Sequence, residues 1–380
     1  MKTLKVSLLS GAYINAGDFL IVDRTKKLLK SIYPECEIIE YKRNEKLDKY
    51  LPEINKTDAL VIAGGPAYMI DMYPNVLPLV DDLDKITTKI IAIGLGWYGK
   101  KTTDKFLYNY KFTHKTKKLL DRIVKDSQYL SCRDWYSVKV LFLNGYNSAI
   151  LTGCPAWFNI QKINKTKLNE NIDYTFQKIC ISDPADFINI KESLVLVQFL
   201  KQKFPNASLY FVFHRIEKNS KQYAMLINQL RNLNIHIVDI TGDEKKFKIY
   251  DNCDLHIGYR VHAHIYNLSQ RNLSLLIEED GRGTGVNEAL GLPGIKAYHS
   301  SRIKFYSHHI ISKILRNLSK KIIVRKKYDN KNFEIEINNC LEMMKTNEYS
   351  QFNTAFYNMK LYYKRMEKYL IDVFKEEKSQ

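Results

Sequence analysis

The stretch Asp254–His264, with the sequence Asp-Leu-His-Ile-Gly-Tyr-Arg-Val-His-Ala-His, decides the fold and the chemistry expected of this chain. Residues 253–257 are typical of a short buried strand, and residues 263–268 of the first turns of a helix. Open α/β sheets bind ligands at such strand-to-helix crossings, where helix N–H groups favour anions. Arg260 and His262 are therefore the first candidates for chemistry.

Similar units recur on both sides of this stretch. Strands are predicted at residues 4–9, 37–41, 59–63, 90–93, 129–132 and 149–151, and then at 178–182, 208–213, 236–240, 253–257 and 275–277. Helical patterns separate many of them, including 19–32, 137–143, 190–204 and 222–233. Apolar strands that alternate with helices predict an α/β protein with parallel sheets.

The chain has 380 residues, enough for two lobes with separate cores. We predict an N-terminal lobe at residues 1–158, a linker within Asn159–Tyr174, a C-terminal lobe at 175–325, and helices at 326–380 that pack back on the lobes. In those helices, apolar side chains recur at helical spacing and predict a packing face. The members of this stripe are Phe356, Met359, Tyr363, Met366 and Leu370.

The composition excludes several classes of protein. Hydrophobic residues make up 45% and charged residues 26%, as in folded soluble proteins. The net charge is +18, but the lysines are scattered, and no Walker A, zinc-finger or helix-turn-helix signature supports a nucleic-acid partner. The basic surface instead suits peripheral association with anionic membrane lipid or with an acidic lipid-linked glycan.

The six cysteines lack C-x-x-C spacing and are typical of buried thiols in a reducing compartment. The apolar run at residues 6–9 is too short for a signal peptide, and none reaches the roughly 18 residues of a membrane span. We therefore expect a cytoplasmic protein, with peripheral attachment to the inner face of the membrane left open.

Several loops that follow strands carry candidate binding residues. After the first strand, Asn15 and Asp18 suit a helix cap but also a substrate contact. Gly64 and Gly65 end another strand and allow either a tight turn or close approach of a ligand. The letters of residues 94–99, Gly-Leu-Gly-Trp-Tyr-Gly, match a dinucleotide motif, but the acidic residue that should follow is not placed, so NAD is not expected.

Arg133 and Asp134 follow a strand, and two interpretations are open. The two residues form an ion pair at the surface, or the guanidinium of Arg133 binds a phosphate or carboxylate group of a ligand. His214 and Arg215 also follow a strand. Residues 282–285, Arg-Gly-Thr-Gly, predict either a flexible loop or a substrate contact through Arg282.

Three of these segments together resemble one family. The run Asp254–Asp280, the Arg133-Asp134 pair followed by Ser137 and Gly145, and the Asn-x-Gly-Asp spacing at residues 15–18 are similar to the polysaccharide pyruvyl transferases. The resemblance implies two Rossmann-like lobes of the GT-B-like type facing an interlobe cleft, phosphoenolpyruvate as donor, and a sugar hydroxyl pair of a surface polysaccharide or its precursor as acceptor. One departure is Cys154, which replaces an acidic residue common in relatives.

Ketal formation requires anion clamps and a proton carrier. We expect Arg260 and Arg133, one from each lobe, to hold the donor, and His262 to act as general acid or base. Asn15, Asp18 and Glu278 are assigned to the acceptor hydroxyls. The remaining substrate-binding candidates are Gly64, Gly65, His214, Arg215 and Arg282. We expect no metal and no cofactor, and we place His264 between helix and sheet.

Two other functions fit the same fold. One is a nucleotide-sugar glycosyltransferase or epimerase, since fold does not fix function. The other is a non-catalytic partner in glycan assembly.

Overall fold

The computed structural model describes residues 3–170, 172–216, 220–297 and 330–375. The first lobe contains eight strands and five α-helices within residues 3–151. The strands are β1 (Lys5–Ser10), β2 (Glu37–Lys42), β3 (Ala59–Ala63), β4 (Pro66–Tyr68), β5 (Lys89–Ile93), β6 (Gly96–Trp97), β7 (Leu130–Cys132) and β8 (Ala149–Leu151). The helices are α1 (Ala16–Ile32), α2 (Leu51–Ile54), α3 (Asp104–Tyr108), α4 (His114–Ser127) and α5 (Trp135–Phe142).

The main sheet of this lobe is parallel and has the order β2-β1-β3-β5. A bridge between Leu95 and Cys132 joins it to the parallel pair β7-β8. Alternate residues face opposite sides: Val61 packs into a core shared with the second lobe, whereas Leu60 and Ile62 pack into a core within the first lobe. Both faces are therefore covered, as the continuous apolar strands predicted.

The second lobe is also a parallel α/β unit. Its sheet has the order β11-β10-β9-β12-β13-β14, which is the doubly wound order that reverses between β9 and β12. The strands are β9 (Lys178–Ser182), β10 (Ser208–Phe213), β11 (His236–Asp239), β12 (Leu255–Gly258), β13 (Leu273–Glu278) and β14 (Ile295–Lys296). The helices are α6 (Ile190–Lys203), α7 (Lys221–Asn232), α8 (Val261–Gln270) and α9 (Gly281–Leu290).

Two helices, α10 (Asn330–Thr346) and α11 (Ser350–Phe374), follow the second lobe. Helix α11 contacts both lobes: Tyr369 donates a hydrogen bond to the carbonyl of Ala92 (3.0 Å), and Tyr362 donates one to Ala289 (2.9 Å). Of the apolar stripe, Phe356, Met359, Met366 and Leu370 are fully buried, which confirms the predicted packing face. The predicted boundary at residues 325–326 lies outside the described residues.

All six cysteines are free thiols, and five of them are buried. Within the described ranges, none of the helices combines the length and the apolar character that crossing a bilayer requires.

Candidate functional site

The point where the order of the second sheet reverses carries the first part of the site. Strands β9 and β12 lie side by side there, and a side chain on Gly258 would collide with Ser182, since a Cβ would lie 2.5 Å from its hydroxyl oxygen. That hydroxyl also accepts a hydrogen bond from the backbone N–H of Arg260 (3.0 Å). Glycine at this position therefore lets β9 fix the loop that presents Arg260.

The guanidinium of Arg260 is held by Asp183, the residue after β9. Its Nε and Nη2 donate to the two carboxylate oxygens at 2.7 and 2.6 Å, and Nη2 also donates to the carbonyl of Pro184 at 3.3 Å. Burial lowers the pKa of Arg260, but the charge of Asp183 and its hydrogen bonds outweigh burial and raise the pKa. Arg260 is therefore a permanent cation whose orientation Asp183 fixes.

His262 lies in the first turn of α8 and packs against the other lobe. A Cβ on Gly17, in the first turn of α1, would overlap the imidazole ring. The ring nitrogens make no hydrogen bond with any described residue. Burial, followed by the positive charges of Arg133, Arg282 and Arg260, lowers the pKa of His262 to about 3. The imidazole is therefore neutral near pH 7 in the unliganded protein.

Arg133 comes from the first lobe, directly after β7. Its Nε donates to Asp134 (3.0 Å) and its Nη2 to the carbonyl of Trp97 (3.4 Å), and the guanidinium covers Gly96. Asp134 caps α5 by accepting hydrogen bonds from the N–H and hydroxyl of Ser137, both at 2.9 Å. The predicted ion pair thus forms, but it is buried and it orients Arg133.

Arg282 lies in α9, where a flexible loop was one of the two predictions. That alternative is wrong because Asp280 caps the helix by accepting from the N–H of Arg282 (2.9 Å). The same carboxylate accepts from Nε and Nη2, and the guanidinium lies 5.0 Å from the ring centre of Tyr98 in the first lobe. The glycines of this segment allow contact between the lobes, since Gly285 packs against Asp134.

The fold therefore brings Arg133, Arg260, Arg282 and His262 together, with guanidinium groups from both lobes. Each arginine uses Nε and Nη2 for protein acceptors. Nη1 of all three donates no hydrogen bond to a described residue. Three guanidinium groups, each with Nη1 unused by described acceptors, suit a small polyanion, and burial together with their charges holds the imidazole between them in its neutral form.

The loop after β1 contributes Asn15 and Asp18. Asn15 caps α1, accepting from the N–H of Gly17 at 3.4 Å, and its amide donates to Asp18 at 3.3 Å. Burial raises the pKa of Asp18, while the charges of Arg43, Arg282 and Arg260 oppose it. Asn15 is therefore the helix cap, which was one of its two predicted roles. Asp18 lies close enough to the arginines for their charges to act on its carboxyl group.

Other candidates are placed differently. Gly64 packs against Ile21, and Gly65 lies under Arg43, so both glycines accommodate neighbouring side chains. Glu278 has other partners: it accepts hydrogen bonds from Thr284 (2.7 Å) and Asn287 (2.8 Å) and pairs with Lys296, so its assignment to acceptor hydroxyls is not supported by its contacts.

His214 and His264 are buried and lie within hydrogen-bond distance of neighbouring hydroxyl groups. His214 is fully buried, its Nε2 lies 2.8 Å from the hydroxyl of Tyr250, and its carbonyl accepts from the N–H of Ala16 (3.2 Å). Arg215, beside it, has an exposed side chain. His264 lies between α8 and the sheet, with Nδ1 2.7 Å from the hydroxyl of Ser274, as predicted.

Sequence reasoning missed Asp183, Arg43 and Tyr98. Asp183 and Arg43 directly follow β9 and β2, so the rule that polar residues at strand ends mark ligand sites would have found both. Glu279 was missed as well: its carboxylate accepts from the N–H groups of Ala185 (2.8 Å) and Asp186 (3.1 Å), which secures the loop that begins with Asp183.

In the part of the chain that the structure describes, no three His, Cys, Asp or Glu side chains are grouped as metal ligands.

Comparison with known proteins gives one family. A family model described as polysaccharide pyruvyl transferase matches residues 15–269. No curated protein matches the chain significantly.

Among solved structures, the chain is similar to S. aureus MnaA with UDP (12% identity, 77% of this chain and 85% of that one, TM-score 0.49). It is also similar to Anabaena HepE in complex with UDP and glucose (10% identity, 98% of this chain and 97% of that one, TM-score 0.46). A third similar structure is the Neisseria meningitidis UDP-GlcNAc 2-epimerase bound to UDP-GlcNAc (14% identity, 90% of this chain and 100% of that one, TM-score 0.44).

Proposed function

The chain belongs to the polysaccharide pyruvyl transferase family and is a transferase, and from this premise we propose that its donor is phosphoenolpyruvate and its acceptor a sugar hydroxyl pair. The product is a pyruvate ketal on a surface polysaccharide or its precursor. The observation that carries the proposal is the set of three guanidiniums around His262, each with Nη1 unused by the described residues.

The charge of the site suits this donor. Phosphoenolpyruvate at neutral pH carries a carboxylate and a phosphate, which together approach three negative charges. Arg133, Arg260 and Arg282 supply three positive charges, and guanidinium groups bind both anions well. Since Asp183, Asp134 and Asp280 orient these arginines before substrate arrives, little ordering remains to be done on binding.

The reaction requires two additions at C2 of the donor. The first hydroxyl forms a C–O bond at C2 and gives up its proton, and the methylene carbon gains one proton and becomes the methyl group. The C2–O bond to phosphate then breaks with its electron pair, and the second hydroxyl bonds to C2 and gives up its proton, which leaves on the phosphate. One ketal and one inorganic phosphate result. Neutral His262 accepts a hydroxyl proton, and the bound anion stabilises the imidazolium that forms.

The acceptor binds beside Asp18, the one predicted acceptor contact that lies next to the arginines. Its carboxylate is an acceptor for sugar hydroxyls. We leave Glu278 out of this role because Thr284, Asn287 and Lys296 already occupy its oxygens.

The test begins with binding and ends with turnover. Phosphoenolpyruvate is titrated into the protein by calorimetry, and phosphate release is followed after a lipid-linked glycan fraction is added. We expect Arg133→Gln and His262→Asn to lose acceptor-dependent phosphate release, and Arg231→Gln, at an exposed position at the end of α7, to retain it. Release of a nucleoside diphosphate from nucleotide sugars, without phosphate release from phosphoenolpyruvate, would contradict the proposal and support the glycosyltransferase alternative.

We further propose peripheral association with anionic membranes through an aromatic patch on the first lobe. Tyr108, Trp135 and Phe142 are 64%, 48% and 62% exposed. Trp135 and Phe142 are seven residues apart and share one face of α5, while Lys111 lies 4.7 Å from the ring centre of Tyr108 and donates to the carbonyl of Leu143 (3.1 Å). Exposed aromatic and basic side chains suit a lipid interface. Trp135 of this patch lies two residues after Arg133 in the chain.

Sedimentation with vesicles tests this patch. We expect pelleting with phosphatidylglycerol vesicles that falls as salt rises, and weaker pelleting of the Trp135→Ser, Phe142→Ser double variant. Tyr357→Ser, at an equally exposed tyrosine of α11, is the control. Equal pelleting of all three proteins would contradict a role for the patch.

A further inference from the structure

A second group of strand ends lies on the first lobe, beside Asp18. In the sheet order β2-β1-β3-β5, strand β2 lies on one side of β1, and β3 and β5 lie on the other. The strand order therefore reverses at β1. Such reversal points form crevices at the carboxyl ends of the strands. Gly11 follows β1, Arg43 follows β2, and Gly64 and Gly65 follow β3.

The side chain of Arg43 lies across these strand ends. A Cβ on Gly11 would come within 2.8 Å of its Cζ and Nε, and a Cβ on Gly65 within 3.2 Å of its Nη1. Glycines on two different loops thus leave room for one guanidinium. The backbone also fixes this arginine: its N–H donates to Ser10 (3.0 Å), and the next N–H, of Asn44, donates to the hydroxyl of Tyr13 (3.2 Å).

Arg43 differs from the three arginines around His262 in its partners. Each of those has a carboxylate within 3.0 Å. Among the described residues, the guanidinium of Arg43 donates no hydrogen bond and has no carboxylate within salt-bridge distance. The side chain of Arg43 is half-buried. Burial raises the pKa of Asp18, and the positive charge of Arg43 opposes that rise more strongly than any other group does.

The two sets of cations meet at Asp18. Arg282 and Arg260 also act on the pKa of this carboxyl, less strongly than Arg43 does. Arg133, Arg260 and Arg282 each keep an aspartate partner, whereas Arg43, beside Asp18, has no carboxylate within salt-bridge distance among the described residues. A cation without a partner in a crevice favours an anionic ligand.

We propose that Arg43 forms an anion subsite for the acceptor, so that the acceptor carries a carboxylate or a phosphate close to the hydroxyl pair that receives the ketal. The inference rests on the proposed function, because it assigns the donor to the other three arginines. In this arrangement Asp18 accepts hydrogen bonds from the acceptor hydroxyls, and Arg43 binds the acidic group of the same acceptor.

The two sources of the anion are distinguished by the probe. An acidic sugar is represented by glucuronate, and the phosphate of a lipid-linked carrier by inorganic pyrophosphate. Each is titrated by calorimetry into protein saturated with phosphoenolpyruvate, so that the donor arginines are occupied. We expect the wild type to bind one probe, and Arg43→Gln to bind it at least tenfold more weakly with less than a twofold change in affinity for phosphoenolpyruvate.

Two control variants keep the result interpretable. Lys42→Gln removes the exposed neighbouring cation, which pairs with Glu45 at 3.5 Å, and should bind like the wild type. Arg43→Lys keeps the charge and should retain part of the affinity. Unchanged probe binding in Arg43→Gln, no probe binding by the wild type, or an equal loss of phosphoenolpyruvate affinity would each overturn the subsite. Failure of phosphoenolpyruvate to bind, with Arg43-dependent pyrophosphate binding retained, would instead overturn the donor assignment alone.

Discussion

The imidazole of His262, in the second lobe, lies directly on the backbone of Gly17, in the first. Because the two residues belong to different lobes, the position of the proposed proton carrier depends on how the lobes meet. Further contacts fix that junction, including the hydrogen bond from the hydroxyl of Tyr136 to Glu288 (2.7 Å).

Replacing Gly17 with alanine should displace His262. The added methyl group would overlap the ring, and a shift of about 1 Å in a catalytic group costs on the order of 10²-fold in rate. We expect kcat/KM to fall by about that factor, measured as acceptor-dependent phosphate release.

A double-mutant cycle separates this clash from a general effect on α1. Alanine favours a helix over glycine by about 1 kcal/mol. Gly17→Ala should therefore destabilise the wild type in urea unfolding but stabilise a His262→Gly background, because His262→Gly also removes the Cβ of residue 262, which would lie 2.7 Å from the added methyl group. Equal effects in both backgrounds would exclude the clash.

The donor should raise the pKa of His262. Burial, and after it the charges of three arginines, lowers this pKa to about 3, so the unliganded protein should show no titration of the ring between pH 5 and 8. A bound trianion opposes the arginine charges and favours the imidazolium, so the pKa should move up toward its ordinary value. Nuclear magnetic resonance of labelled histidine, with and without phosphoenolpyruvate, measures the shift. A pKa that phosphoenolpyruvate leaves unchanged would contradict the proposed role of the arginines.

Asp183→Asn should weaken donor binding and the fold together. Removing one partner of a buried ion pair costs on the order of 3 kcal/mol. Arg260 would lose its fixed orientation, and we expect affinity for phosphoenolpyruvate to fall by about tenfold, or about 1.4 kcal/mol. Asp186→Asn, at an exposed position on the same loop, is the matched control in both the calorimetric and the unfolding experiments.

The protein should lose stability in mild acid. Burial lowers the pKa of His264 to about 3, so the folded state keeps the ring neutral while the unfolded chain binds a proton below about pH 6.5. Stability from this group is present above pH 6.5 and is lost as the pH falls toward 3, by up to about 1.4 kcal/mol per pH unit. The pKa values of His214, His256 and His262 are lowered too.

Glu279 acts in the opposite direction, because burial raises its pKa to about 7. The stability that Glu279 contributes is present below about pH 4.5 and is lost as the pH rises from about 4.5 to 7. Burial raises the pKa of Asp18 and Asp183 too, and both act in the same direction as Glu279. Four histidines with lowered pKa values oppose these three carboxyls, and we expect the urea midpoint to fall between pH 7 and pH 5, and to fall less steeply in His264→Asn. A midpoint that does not change with pH would contradict the expectation.

Much of the fold follows from local pattern. Strands β3, β8, β9 and β10 begin and end where the apolar runs predicted, because a buried parallel strand needs an apolar residue at nearly every position. Helix α9 was harder to predict: its glycines disfavour helix locally, and contacts with Asp134, Trp97 and Glu278 favour small residues there.

By itself the sequence determined two parallel α/β lobes, the crossing helix α11, and the candidates Arg133, Arg260 and His262, since strand ends and helix starts are local features. Tertiary structure alone decided that these three meet Arg282, that Asp183 and Asp134 orient the guanidiniums, and that Glu278 is occupied elsewhere. The physical reason is that charges and hydrogen bonds act over a few ångströms in space, between residues as far apart in the chain as Asp18 and Arg282.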